Sequence, residues 1–325
     1  MSDPISDSTT PISRTVTKKV YAVETPEGDG AIVRRSIGGG SLKNLTPFLM
    51  LDHFHASAGA GFPDHPHRGQ ATITYVGRRS HREHELIYPL QMLRGSSNHE
   101  DSAGHKGVIE AGGVQWMTAG RGIIHSEIPN YIPGKPDPIG LQLWVNLPKK
   151  FKMVKPSYQE LGPTQIPVAE PVEGLKVRVI SGKSHGKESP VRPLGGCWYF
   201  HYIHEKEGLE TFQELPAGWT TFIYILSGSL VVGTTRPTVF EAFHTLVLSA
   251  DANETGVLLK SMSPDTQYML ASAEPINEPI VQYGPFVMNT QAEVMQAFKD
   301  FREGRNGFEK ALTWKSTIAG MMSRR

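Results

Sequence analysis

Short runs of apolar or alternating residues, each cut off within a few positions by Gly, Pro or Asp, recur along almost the whole chain. VYAV, AIVRRSI, ATITYV, GVIEAG and GLQLWVNL lie between residues 16 and 148, and CWYFHYIH, TTFIYILSG, SLVVG, HTLVLSA, VLLKSM and QYMLASAE follow residue 195. Runs of this length suit strands rather than helices, and no short repeat period marks a solenoid or propeller. Gly 33 and Pro 24 make 57 of the 325 residues, enough to turn the chain after each run. The pattern predicts an all-β protein of two antiparallel sandwiches or barrels, one per block.

The composition places the boundaries. Residues 1–15 are rich in Ser, Thr, Pro and Asp and read as a disordered N-terminus. Residues 16–148 form the first β domain, and 196–290 the second. Between them, 149–195 shifts to Lys, Pro, Val and Glu with one strand at LKVRVI, a structured connection. Residues 291–325 hold a helix and a tail. Thr290 and Glu293 have capping-box spacing, Val294, Ala297, Phe298 and Phe301 make an apolar stripe, and Gly304 ends the helix, which is expected to pack on a sheet.

Several function classes drop out. A formal net charge of +1 gives no bulk attraction to nucleic acid or to an acidic membrane. One cysteine, Cys197, rules out a disulfide framework, an all-Cys zinc site and a Cys-ligated iron–sulfur cluster. No apolar run approaches the roughly 18 residues that span a bilayer, and the polar start MSDPISDSTTPISR matches no signal or transit peptide. The expected setting is intracellular.

Nine of the thirteen histidines lie between His53 and His125, so imidazole chemistry belongs to the first domain. FPDHPHRG places His65 and His67 two apart, and QWMTAGRGIIHSE does the same with His125 and Glu127. Residues two apart on a strand face one side, so neighbouring strands can offer three imidazoles and a carboxylate. That donor set suits non-haem iron best, with manganese, copper, nickel and zinc also matching by ligand type. Competing motifs are weaker. HREHE, with His81, Glu83, His84 and Glu85, lacks the His-Glu-x-x-His order and reads as a charged loop. The Gly120-Arg-Gly122 and Gly28-Asp-Gly30 pairs read as turns, and Ser126 has no nucleophile elbow around it. His201, His204 and His244 read as core or surface histidines. The Trp116 and Met117 side chains of QWM read as core before pocket lining.

With these residues in place, the chain resembles the pirin family, bicupins of the wider cupin superfamily. FPDHPHRG and QWMTAGRGIIHSE are similar to its N-terminal signatures, and PIVQYGPFVMNT and NGFEKALTWKS to its C-terminal ones, across about residues 16 to 318. The resemblance implies two stacked antiparallel β-barrels of the double-stranded β-helix type, with one iron (Fe2+ or Fe3+) per chain in the first and none in the second. The family's ligand positions fall on His65, His67, His125 and Glu127, the four already picked out by spacing. It also implies a quercetin 2,3-dioxygenase: a flavonol binds through its deprotonated 3-hydroxyl, O2 adds across the ring, and carbon monoxide is released. Glu127 would serve as the catalytic proton acceptor. The alternative is a non-enzymatic, iron-dependent co-regulator that binds transcription factors without touching nucleic acid. A cytoplasmic or nuclear location follows from the family, since no basic import cluster is present. Two departures stand out. Ala71 occupies a position where the family often has Glu, which predicts a changed pocket wall or outer shell. Residues 77–93 (GRRSHREHELIYPLQML) read as an insertion within a hairpin, dispensable to the fold; of the two origins, surface loop or translated intron, the second is favoured by its charge and lack of alternation.

Overall fold

The computed structural model of the chain describes residues 10–57, 59–76, 95–132, 137–233 and 238–321. The proposed insertion at 77–93, with the HREHE run, lies outside the described residues, as do residues 1–9. The fold is all-β, and its named sheet pairings are antiparallel.

Each half pairs a seven-stranded sheet with a four-stranded one. In the first half the large sheet runs, in spatial order, Ser157–Leu161, Val114–Thr118, Gln70–Val76, Ile139–Asn146, Phe48–His55, Ala31–Ile37 and Val23–Glu27. The small sheet facing it runs Phe62–His67, Ile123–Pro129, Ser96–Asp101 and Lys106–Glu110. The second half repeats the plan. Its large sheet is built around Thr220–Ser227, Thr266–Ala273 and Cys197–His204, and its small one is formed by Glu210–Glu214, Gly256–Ser261, Ser229–Val232 and Val239–Glu241.

The two large sheets pack back to back, so their central strands are buried on both faces. Gln70–Val76 and Thr266–Ala273 are buried at every position. One core cluster holds Ile73, Tyr75, Trp116, Leu141 and Leu143 from the first half together with Tyr199, Phe222, Tyr224 and Met269 from the second. Two reciprocal polar pairs cross this core. Tyr75 O–H lies 3.0 Å from His201 Nδ1, and Tyr224 O–H lies 3.1 Å from His53 Nδ1. Each half thus gives the other one tyrosine and one histidine, which satisfies four buried polar side chains. The interiors of the two halves differ. Leu175, Val177, Phe200, Ile225, Leu230, Val257, Leu259 and Leu270 make the second mainly apolar, with the Tyr202 and Tyr268 hydroxyls paired to Gln213 and His204. In the first, the cross-strand row Gln115, Thr74, Gln142, Asp52 is polar, and the exposed Glu160 continues it at the sheet edge.

Strand pairing crosses the boundaries expected from sequence. Val16–Tyr21, assigned to the first domain, pairs with His244–Leu248 in the second half's large sheet. The expected disorder of residues 1–15 does not extend through Arg14. That side chain is fully buried and donates to the Trp219 and Pro216 carbonyls and to Thr221 Oγ1. The connection 149–195 is shared: Ser157–Leu161 extends the first large sheet, while Val168–Val172 and Leu175–Ser181 extend the second. Composition follows local turn content, whereas edge strands go where an unpaired backbone edge is available. The helix Gln291–Glu303 forms with its capping box at Thr290 and Glu293 and with Gly304 in the left-handed region (φ 65°), as the spacing predicts.

Burial makes the inter-half histidines acid-sensitive. Desolvation, with help from Arg34 for His53 and Arg178 for His201, lowers both to about 3. Desolvation lowers His204 to about 4. Below about pH 6.5 these imidazoles take up protons in the unfolded chain but stay neutral in the fold, so stability falls as pH drops through that window. At about pH 5 each contributes about 2 kcal/mol of lost stability relative to neutral pH. Calorimetric unfolding near that pH, repeated in buffers of different ionisation enthalpy, should register uptake of about three protons from this group.

Candidate metal centre

The site is built on the small sheet of the first half. Phe62–His67 is its edge strand, a position where Pro63 and Pro66 cost no ladder hydrogen bond. It pairs antiparallel with Ile123–Pro129, placing His125 opposite His65 and Ile123 opposite His67. The period of two then turns His65, His67 and His125 to one side. One candidate ligand atom from each lies within 4.8 Å of the other two, and among the described residues this is the one such cluster of metal-ligating side chains. His125 Nε2 and His65 Nε2 are 3.0 Å apart.

The donors have the character a metal requires. His65 Nδ1 lies 2.8 Å from the Pro63 carbonyl, which can only accept, so the proton sits on Nδ1 and the Nε2 lone pair faces inward. His67 and His125 are buried, and desolvation followed by the neighbouring His65 lowers both well below the usual histidine range. Both are therefore neutral at physiological pH and able to donate a lone pair. A divalent transition metal fits these three residues.

Glu127, the fourth residue predicted from spacing, lies outside the three-imidazole cluster. The pairing with the edge strand slips between His125 and Glu127, so Glu127 stands opposite Phe62, while the pairing with Ser96–Asp101 runs on unbroken and keeps Glu127 on the same side as His125. Its carboxylate is held by the facing sheet: the Thr74 hydroxyl donates to Oε1, and the Gln142 amide donates to Oε2 at 2.8 Å. On the other side His99 lies directly across from it.

Sequence reasoning missed several residues here. Gln70 is fully buried, and its amide lies 2.7 Å from His67 Nδ1. Trp144 meets the His67 ring edge-on at 5.0 Å. Ala71 faces the core between the halves, and its neighbour Gln70 is the residue that touches His67. The alternation in QATITY, with Gln70, Thr72 and Thr74 on one face and Ala71, Ile73 and Tyr75 on the other, carries that signal. In QWM, Trp116 is inter-half core, while Gln115 and Met117 alternate to the other face, as their pairing with Thr74 and Thr72 shows. Of the remaining candidates, Gly28, Gly30, Gly120 and Gly122 all have positive φ, in keeping with turns.

The turn after His67 is clamped by the C-terminal segment. Arg68 and Asp300 form an ion pair at 2.9 Å, each 2% exposed. Arg68 also donates to the Arg121 and Asn306 carbonyls, and its guanidinium stacks over Phe308 at 4.7 Å. Burial pushes the Asp300 carboxyl up, but hydrogen bonds from Arg68, Asn306 and Gln296 outweigh it and hold the group below the usual range. Lys152, also buried, donates to the Gly69 carbonyl (2.9 Å), Asn146 Oδ1 (2.6 Å) and the Val287 carbonyl (3.0 Å). Gly69 has φ +78°, and a Cβ there would lie 1.9 Å from the Val287 oxygen, so only glycine lets strand Phe286–Met288 approach this closely.

Comparison with known proteins identifies the family. The Pirin family model matches residues 30–145, and the model described as the Pirin C-terminal cupin domain matches residues 201–307. The chain belongs to the pirin family. It is 48% identical to a pirin-like protein of Solanum lycopersicum, over 93% of this chain and 96% of that relative. It is 43% identical to the pirin of Homo sapiens, over 94% and 98%. Among solved structures, quercetin 2,3-dioxygenase from Acinetobacter baumannii superposes with a TM-score of 0.77 at 30% identity, covering 90% of this chain and 98% of that one. In this pirin-family chain the matched N-terminal region contains all three clustered histidines and Arg68.

Removing Asp300 leaves the Arg68 charge buried without its partner. Asp300→Ala should cost about 3–5 kcal/mol of stability, measured as a lowered urea midpoint. If the helix docks independently of the site, the loss will be far smaller and confined to a separate early transition.

Proposed function

We propose that this pirin-family protein is a mononuclear iron dioxygenase that cleaves a flavonol such as quercetin, with His65, His67 and His125 holding the metal. The observation that carries this reading is the convergence of three imidazoles, those of His67 and His125 buried and neutral, beside a carboxylate held by two donors. The likeness to the Acinetobacter baumannii enzyme supports the substrate class. When bound, the metal would act as a Lewis acid toward the substrate hydroxyl and admit O2 to the site.

The chain's own residues do the rest. Glu127 accepts the proton of the flavonol hydroxyl; the Thr74 and Gln142 hydrogen bonds aim its carboxylate. Each Glu127 oxygen keeps a further lone pair, so Glu127 is also placed to serve as a fourth ligand. Trp144, partly exposed, presents an aromatic wall next to His67 against which a planar ring can rest. Burial of His67, His125 and Glu127 limits the access of bulk water to the reacting atoms. No described helix is long and apolar enough to cross a membrane; residence in the cytoplasm or nucleus is part of the same proposal.

Two measurements test it. Elemental analysis should give about one iron per chain for the wild type, and a His65→Ala, His67→Ala variant that still folds should lose it; full occupancy in that variant places the metal elsewhere. Glu127→Gln keeps the shape but not the basicity, so at equal iron loading it should slow O2 consumption and carbon monoxide release about a hundredfold or more. Equal rates remove Glu127 from the chemistry. An iron-loaded wild type that consumes no O2 with quercetin overturns the dioxygenase reading and favours the co-regulator.

A further inference from the structure

The interior of the first half contains one amide whose position ordinary packing does not explain. Gln70 is fully buried, and its side chain ends 2.7 Å from His67 Nδ1. Its amide nitrogen faces the ring, and its oxygen has no hydrogen-bond partner among the described residues. The ring contact alone therefore holds the amide this way round. With nitrogen toward Nδ1, the amide donates to the ring, which then carries its own proton on Nε2. With oxygen toward Nδ1, the amide accepts the Nδ1 proton and leaves Nε2 with a free lone pair. The two amide orientations thus correspond to the two tautomers of His67.

The other two histidines are arranged differently. His65 has its tautomer set by a backbone carbonyl, which cannot reverse. His125 Nδ1 has no partner among the described residues. His67 is the member of the triad whose Nδ1 meets a side chain able to present either a donor or an acceptor, although the Pro285 backbone also acts on its ring.

We propose that Gln70 is a positioning residue that selects the metal-binding tautomer of His67 by turning its amide oxygen to Nδ1–H. This rests on the reading that the triad holds a metal. An outer hydrogen bond of this kind fixes ring orientation and raises ligand basicity, and its loss typically weakens metal affinity about 10–100-fold. Gln70→Leu removes the acceptor while keeping similar bulk. Gln70→Glu offers only acceptors toward the ring.

The experiment uses the full-length protein with zinc as a diamagnetic probe. Competition with a chromophoric chelator should show zinc binding weakened about tenfold or more in Gln70→Leu and restored to within about threefold of wild type in Gln70→Glu. Nitrogen-15 NMR of the zinc-loaded wild type should show His67 protonated on Nδ1, a readout that needs no variant to fold. Unchanged affinity in Gln70→Leu, equal weakening in both variants, or a His67 proton on Nε2 in the zinc form each overturns the inference while leaving the metal site standing. A wild type that binds neither zinc nor iron overturns the metal reading and this inference together.

Discussion

The back-to-back packing of the two seven-stranded sheets is the constraint on which the rest of the molecule depends. It buries Gln70–Val76 and Thr266–Ala273 on both faces and joins aromatic and aliphatic side chains from both halves into one core. Apolar surface removed from water stabilises at roughly 25 cal/mol per Å2. The shared core therefore gives the first half much of its stabilisation from its outer face. That leaves its inner face free to hold polar groups, and the row from Gln115 to Asp52 occupies it. The second half keeps a mainly apolar interior, with no comparable cluster of ligating side chains among the described residues.

Polar groups in such an interior are tolerated only when they are paired. Glu127 is paired by Thr74 and Gln142, and Asp52 by Arg35 in a bidentate contact. The triad differs: its imidazoles crowd together, and the Nδ1 of His125 has no partner among the described residues. A cation is the group that satisfies three converging lone pairs at once, which connects the energetics of the interior with its chemistry.

Both ends of the chain reinforce the half to which they are not adjacent in sequence. Val16–Tyr21 closes an edge of the second large sheet, and the C-terminal strands and helix return to clamp the His67–Gly69 turn of the first. The Arg68–Asp300 pair and the Lys152 brace place charged groups in buried positions, where their hydrogen bonds fix one geometry of the loop that carries His67. The ligand strand at the sheet's exposed edge is thereby held by elements from three parts of the chain.

The sequence by itself determined the all-β class, the helix with its caps, and the four candidate site residues. Strand period and turn chemistry are local, and His65 with His67, like His125 with Glu127, lies two apart on a single strand. The resemblance carried by the signatures at both ends then led to the family. Only the tertiary structure decided that Val16–Tyr21 belongs with the second half, because edge pairing depends on which backbone is left open. It also decided that Thr74 and Gln142 of the facing sheet hold the Glu127 carboxylate, and that Gln70, not Ala71, touches His67. The facing of two sheets arises from contacts between segments far apart in sequence, which no local periodicity records.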